Sequence, residues 1–595
     1  MTAHELPRLS VVLAAAVAAV EAEGALLLAE FYLPGGPRGS GSKAPIDEEI
    51  EVRLCQALQR ALPCTFIGEE TGETRCEQPG AVAGWAWIVD PHDGTSDFLK
   101  GIRGSAISVG LVRGAVPVLG VVHAPTSPDR GRETFAWAEG SGPLRRNGRP
   151  VNCDLRASAL AAGAVVFATA SSALRPLGFS RAVAPARYVA LASIAHRMAR
   201  VAAGDGVATL SIHEVNEYDI AAGAALLRAS GGAVLDFSGS EVAFAGRPGV
   251  IVNGCFAGAP QAAARLARFD WSVVDREQRL PRRTPTGYPK ISDAQRLARA
   301  QGCLLGQAVG DSFYSLAEPE RAQGTAGQPG EGTELLLALA RSMFAAGRYD
   351  AQAAFAAYRA WLASAPIAVD PGTRAALQGS PDASDASAAA LLRAAPIGIW
   401  AAGEPARAAA AAREDVALTH PNPQCGDACA AYAAAIAAGV AGGSRDAMLR
   451  AALAHASATH AHTPARSAIE RGARGEALRD VIQEQGAVLA ALQNAFFQLR
   501  AAGDFEQALC ASAQRGDADA NATIAGANAT NAGANAAVAG ALLGAAAGLE
   551  AIPQRRVAQV LACRPLAEAG VARPRPMDYW PDDLLEIAEA LLRLG

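Results

Sequence analysis

Residues 89–98 read Val-Asp-Pro-His-Asp-Gly-Thr-Ser-Asp-Phe. Asp90 and Asp93 flank Pro91 and His92, and Gly94-Thr95 follows at once. Two carboxylates this close repel each other, and burial raises the cost unless a cation neutralises them. Proline restricts the turn, and glycine lets the backbone approach a ligand closely. Thr95, Ser96 and Asp97 have the character of a helix N-terminus, whose free N–H groups suit a phosphate. An all-oxygen donor set favours Mg2+ over Zn2+. The stretch therefore reads as a magnesium site beside a phosphate cradle. A capped turn with surface acids is the competing reading.

The surrounding sequence is that of a folded enzyme-sized chain. Its 595 residues exceed one ordinary core, so two or more domains are expected. Hydrophobic residues make up 51% and charged residues 19%, which excludes intrinsic disorder as the general state. A net charge of -5 gives no general drive toward nucleic acid or an anionic membrane. The 10 cysteines are scattered without a Cys-x-x-Cys pair, so neither a zinc site nor a disulfide framework is expected. The apolar run at 11–20 leads into Glu21 and Glu23, and no uninterrupted run reaches membrane-spanning length. A cytoplasmic protein is expected.

The first ~270 residues mix periods. Residues 9–32 and 46–62 read as helices; 85–90, 106–112 and 118–124 read as strands bounded by Gly and Pro. The strand 85–90 ends on Asp90, as one delivering a ligand would. Residues 275–290 are basic and Pro-bearing and mark a linker. Beyond it the pattern is alanine-rich and helical, with segments at 292–310, 333–346, 350–364, 425–440 and 476–502. A mixed α/β domain (1–272), a linker (273–290) and an all-α domain (291–595) are expected. Residues 520–540 repeat one seven-residue unit three times. Read as helix, two added units lengthen it by about 21 Å; a Gly/Asn-rich loop is the alternative.

Two further motifs bear on the opening stretch. Phe-Ile-Gly-Glu-Glu (66–70) puts an acid pair after an apolar run, and Asn-Glu-Tyr-Asp-Ile-Ala-Ala-Gly (216–223) begins a small-residue helix that ends in Gly231-Gly232. Together with the 89–98 stretch they resemble the inositol monophosphatase superfamily over about 1–270. The resemblance implies a layered α-β-α-β-α fold and metal-dependent hydrolysis of a small phosphate ester. It implies that Glu69 and Asp90 hold one Mg2+ with the carbonyl of His92, and that Asp90, Asp93 and Asp219 hold a second. Asp47 corresponds to an aspartate of the nucleophile network, sometimes linked to a third ion. Glu69 and Thr95 would activate water, and Gly94 and Thr95 would bind phosphate. Glu214 and Glu217 are candidates to contact substrate hydroxyls, with plain surface acids as the competing reading. Departures from the pattern are His92 for an apolar residue, Ile46 for threonine and Tyr218 for tryptophan.

In the second half, Gly-Cys-Leu-Leu-Gly-Gln-Ala-Val-Gly-Asp (302–311), Leu-Leu-Arg-Ala-Ala-Pro-Ile-Gly (391–398), Thr-His-Pro (419–421) and the glycine-rich stretch 539–553 resemble the ADP-ribosylglycohydrolase family. That family binds two Mg2+ between a Thr-Asp-Asp-Thr-Glu and an Asp-x-Asp-Thr-Asn segment. Here the first reads Gly330-Glu331-Gly332-Thr333-Glu334 and the second Asp517-Ala518-Asp519-Ala520-Asn521. The remaining candidates are Asp311, Glu331, Asp517 and Asp519, with Asp311 equally readable as a helix cap. Losing ligands lowers divalent affinity, so a weakened or inactive hydrolase is expected.

The sequence supports a phosphomonoesterase with two or three Mg2+, fused to that eroded helical domain. A bifunctional enzyme that also cleaves an ADP-ribosyl bond, and a ligand-binding protein without turnover, are the alternatives. Expected partners are a phosphate ester and, through the second domain, ADP-ribose or an ADP-ribosylated protein; a homodimer is left open.

Overall fold

Short apolar runs build the first sheet: β1 (Thr65–Gly68), β2 (Gly72–Thr74), β3 (Trp85–Asp93), β4 (Ala106–Arg113), β5 (Val116–Ser127), β6 (Gly131–Ala138), β7 (Arg145–Arg146) and β8 (Arg149–Pro150). The computed structural model describes residues 8–76, 81–314, 327–457, 463–476, 486–501, 503–516, 525–567, 571 and 573–595. The sheet order is β2-β1-β3-β4-β5-β6-β7-β8; β1 and β3 are parallel and the other pairs antiparallel.

Helices α1 (Leu9–Phe31) and α2 (Pro45–Ala61) cover this sheet. Among the described residues α1 is the one helix long and apolar enough to cross a membrane, with a mean hydropathy of 2.1. Here its Val12, Ala16, Val20, Leu27 and Phe31 are buried in the sheet's core, and Glu21 accepts the Thr134 hydroxyl at 3.0 Å.

The next helices are α3 (Thr95–Leu99), α4 (Pro176–Val183), α5 (Ile194–Ala202) and α6 (Glu217–Ala229). Helix α6 lies on β4 and β5, where Gly110 and Gly120 face each other across the pair. A Cβ at Gly110 would sit 2.8 Å from Ala221 Cβ, so only glycine there permits the approach. The Ala-Ala-Gly-Ala-Ala run of α6 is the other half of this fit.

The second sheet orders β9 (Val165–Ala168), β10 (Arg187–Ala190), β11 (Ala208–Ser211), β13 (Ala233–Leu235) and β15 (Cys255–Gly258) as β10-β9-β11-β15-β13. A minor pair joins β12 (Val215–Asn216) to β14 (Ile251–Val252). Helices α5 and α6 also reach this sheet, and α4 and α7 (Pro260–Ala267) pack on it, which completes the α-β-α-β-α layering.

The chain divides into two units, one running to Pro281 with Thr286–Lys290, the other comprising Arg282–Pro285 and Ile291–Gly595. The stretch read as a linker thus contributes to both, and it includes α8 (Ser272–Asp275).

The second unit is helical, with no strand among its described residues. Its principal helices are α9 (Ala294–Tyr314), α10 (Glu331–Ala346), α11 (Ala351–Ala363), α12 (Pro371–Leu377), α13 (Pro423–Val440), α14 (Pro464–Arg474), α15 (Ala487–Ala501), α16 (Ala525–Ala547) and α17 (Leu584–Leu594). The helix expected over 476–502 is not continuous: α14 ends at Gly475, φ 81°, and Gly486, φ 86°, precedes α15, with 477–485 outside the described residues. Gly486, inside the expected range, takes a left-handed conformation that overrides the apolar periodicity.

Helices α9 and α16 cross backbone to backbone. A Cβ at Gly306 would overlap Gly540 O, one at Gly540 would overlap Gly306 O, and one at Gly310 would overlap Ala536 O. The two glycine-spaced motifs of the sequence are therefore each other's partners. Residues 525–540 of the heptad repeat are helical and 520–524 lie outside the described residues.

Near the C-terminus Asp583 accepts two bonds from Arg341, at 3.0 and 3.1 Å, and one from Thr284 at 2.7 Å. Burial opposes its ionisation, but Arg341 and Arg283 outweigh burial and hold it at about 2, from 3.8. A depressed carboxylate contributes stability above its unfolded pKa, and that contribution is lost as pH falls through the folded value. Asp583→Asn is expected to cost about 2 kcal/mol at neutral pH and to flatten the loss between about pH 4 and 2. Urea unfolding across that range measures both.

Candidate active site and a second polar centre

The first site forms where the parallel pair β1–β3 ends. Gly68 lies opposite Val89, so Glu69 leaves its strand beside Asp90, its N–H on Val89 O at 3.2 Å. The β3–β4 register breaks between Asp90 and Asp93, around Pro91. The irregularity leaves Asp90 buried and Asp93 half-buried. Gly94 follows at φ 96°, a conformation that favours glycine, and α3 begins at Thr95. Asp219 enters as the third residue of α6, where it accepts the Asn216 N–H at 2.7 Å.

These four carboxylates perturb one another. Asp90 is raised well above the ordinary carboxylate range by burial, then by Glu69, Asp93 and Asp219. Asp219 is raised well above it by burial and then by Asp93. Asp93 is raised by burial despite the Ser193 hydroxyl at 2.6 Å and the Ala195 N–H at 2.7 Å on its Oδ2. Partial desolvation raises Glu69 to about 7, while its residue keeps an exposed edge. No three of these residues bring ligand atoms within 4.8 Å of one another.

Asp47 is buried behind the cleft. Its Oδ2 receives the Ala44 N–H at 3.3 Å and the Thr95 hydroxyl lies at 3.3 Å from it; that hydroxyl is closer to His92 O, at 2.7 Å. Its Oδ1 is 2.7 Å from His92 Nδ1. The His92 imidazole is thus part of the network, whereas the sequence assigned it only a carbonyl. The signal was the polar residue standing where the pattern has an apolar one. Glu51, also missed, is buried and accepts the Glu70 and Thr71 N–H groups at 3.0 and 2.7 Å, fixing the turn after β1. Glu217, expected on the substrate side, instead accepts the Ala245 and Gly246 N–H groups at 2.5 and 3.1 Å. Glu214 is exposed.

In the helical unit Asp311 is buried, and its Oδ2 accepts the Gly330 and Thr333 N–H groups at 3.0 and 2.9 Å. It therefore caps α10. Glu331 Oε2 accepts the Asp370 N–H at 2.5 Å, and burial followed by Asp370 raises Glu331 to about 8. Glu334 is taken by Arg575, at 2.7 Å to each oxygen, and by the Trp361 N–H at 2.6 Å. Asp517 and Asp519 lie outside the described residues. A different group does converge here: ligand atoms of Asp370, Asp385 and His420 all lie within 4.8 Å of one another. Sequence reading reached only its Thr-His-Pro element.

Its family and named relatives make the first unit a phosphatase-type hydrolase. The chain belongs to the inositol monophosphatase family, whose model matches residues 9–273, and the ADP-ribosylglycohydrolase model matches residues 292–530. It is 28% identical over 251 residues to the "Probable inositol 1-monophosphatase ImpA" of Mycobacterium tuberculosis, covering 40% of this chain and 86% of that protein. It is 30% identical over 208 residues to inositol monophosphatase 2 of Solanum lycopersicum, covering 33% and 74%. It is 36% identical over 159 residues to a fructose-1,6-bisphosphatase/inositol-1-monophosphatase of Thermotoga maritima, covering 26% and 58%.

Proposed function

We propose that the N-terminal unit releases phosphate from a small-molecule phosphate monoester with Mg2+ held among Glu69, Asp90, Asp93 and Asp219. The observation that carries this is the crowding that raises Asp90 and Asp219 so far, a state a divalent cation relieves. The donor set is all oxygen, as Mg2+ prefers, and the family is generally Mg2+-dependent. Bound there, two or three ions supply neutralisation of the ester's charge and acidification of water.

The chain's own groups do the rest. Glu69, open to solvent, would take the water's proton. Thr95, held between His92 O and Asp47, would orient that water. Gly94 and Thr95 N–H groups at the start of α3 would hold phosphate oxygens, and exposed Glu214 would meet the alcohol portion. The free state of all 10 cysteines supports a reducing cytoplasm. Phosphate release with and without Mg2+, from inositol monophosphate, fructose 1,6-bisphosphate, adenosine 3′,5′-bisphosphate and phosphorylated ADP-ribose, tests the reading. Release from none of them, by folded protein, would sink it for these esters.

His92→Leu removes the bond that fixes Asp47 behind Thr95. A charge-assisted bond of about 1.5–3 kcal/mol converts to a fall of about 10- to 100-fold in kcat. KM is expected to change little. Steady-state kinetics on the preferred ester separates the two.

For the helical unit we infer a glycohydrolase that is weakened or inactive. Glu331 and Glu334 spend carboxylate oxygens on protein donors, and Gly332 offers no side chain. Incubation with ADP-ribosylarginine and Mg2+ is expected to yield no ADP-ribose; steady release would establish the bifunctional enzyme.

A further inference from the structure

Asp370, Asp385 and His420 belong to neither set of expected ligands. Asp370 is the N-cap of α12, where its Oδ2 accepts the Thr373 N–H at 2.8 Å and its Oδ1 the Ser387 hydroxyl at 2.7 Å. Asp385 Oδ1 accepts the Ser387 N–H at 3.0 Å, while its Oδ2 is buried without a hydrogen-bond partner. His420 is wholly buried and its Nε2 also has no hydrogen-bond partner. That Nε2 points between the two carboxylates, 3.5 Å from Asp370 Oδ2 and 3.5 Å from Asp385 Oδ2.

We propose that these three side chains hold one first-row divalent transition cation of the Zn2+ or Mn2+ class. Separations of 3.5 Å are long for hydrogen bonds. They suit a shared ion: with bonds of about 2.1 Å, donors so spaced subtend about 110° at the metal, close to the tetrahedral angle. Two carboxylates match the charge of a divalent ion, and the imidazole favours a transition metal over Mg2+.

The surroundings are built for this geometry. His420 Nδ1 is 2.8 Å from Thr419 Oγ1, which also accepts an Arg393 N–H at 2.6 Å. Arg393 is fixed in turn by Asp415 at 2.7 Å. An outer partner of this kind orients the ring, and the tautomer that donates Nδ1–H to Thr419 presents the Nε2 lone pair to the carboxylates. At position 372 a Cβ would overlap Asp385 Oδ2 and come 3.2 Å from Asp370 Oδ2; glycine keeps that space open. Cys425 directs its thiol toward Asp385 O at 3.6 Å and is not among the three converging side chains. Asp385 is half-buried, whereas Asp370 and His420 are buried. The inference does not rest on the phosphatase reading.

Full-length protein stripped with a chelator is titrated with Zn2+ by calorimetry in excess Mg2+, and in parallel with Co2+ by visible absorption. The expected result is one Zn2+ equivalent that Mg2+ does not displace, together with the strong visible bands of tetrahedral Co2+. This equivalent survives Asp93→Asn and weakens at least about 100-fold in His420→Gln and Asp385→Asn. Absence of such an equivalent, or its retention at full affinity in both variants, overturns the proposal. Should His420→Gln fail to fold, Asp385→Asn decides: its Oδ1 still accepts the Ser387 N–H, and only the unpartnered oxygen is replaced.

Discussion

Asp93→Asn is expected to lower Mg2+-dependent phosphate release by about 10³-fold or more, the equivalent of about 4 kcal/mol in the transition state. The substitution is close to isosteric. The asparagine carbonyl can keep the Ser193 and Ala195 donors that Asp93 Oδ2 now accepts at 2.6 and 2.7 Å. What is lost is one negative charge at the cleft, and an amide N–H2 is turned toward the cation. Mg2+ affinity falls with charge count, so calorimetric Mg2+ titration and kcat should fall together. Unaltered unfolding would show that the damage is local. Activity above a tenth of wild type would mean that Asp93 is no ligand and that the cleft works some other way.

The second large effect is expected at the crossing of α9 and α16. Gly540→Val places three carbons where a single Cβ already overlaps Gly306 O and comes 3.3 Å from Leu509. Both neighbours belong to rigid, buried elements, so α9 and α16 must separate. Overpacking of this kind costs about 3 kcal/mol or more. The contrast is Gly426→Ala on α13, where an added Cβ meets nothing within 4 Å. There the better helix former is expected to stabilise by about 0.5–1 kcal/mol. Chemical denaturation followed by circular dichroism compares the two. Equal midpoints would remove the glycine crossing as a determinant of the helical unit.

Much of the first site was legible because its chemistry sits in contiguous motifs. Glu69, Asp90, Asp93 and Asp219 each stand beside a glycine, a proline or a small-residue helix that announces a turn or a close approach. Strand-ending acids and the Gly110–Gly120 seat for α6 then bring three distant motifs together. The His92 imidazole was not legible, since its role depends on Asp47, 45 positions earlier and carried on α2. Glu217 misled for the opposite reason: its backbone partners at 245 and 246 carry no side-chain signal. The cluster of Asp370, Asp385 and His420 unites a helix cap, a loop acid and a post-helix histidine, with no spacing rule to connect them. The interruption before α15 was hidden because apolar periodicity outweighed Gly486.

Among the described residues, the third heptad copy meets the crossing, through Ala536 and Gly540. Gly540, the last residue of the third copy, is the one that touches Gly306. Seven residues fall about 20° short of two full turns. A chain with one unit more or fewer would therefore present nearly the same helical face at Gly540. A change in unit count would thus lengthen α16 by about 10 Å per unit while leaving the packed crossing almost unchanged.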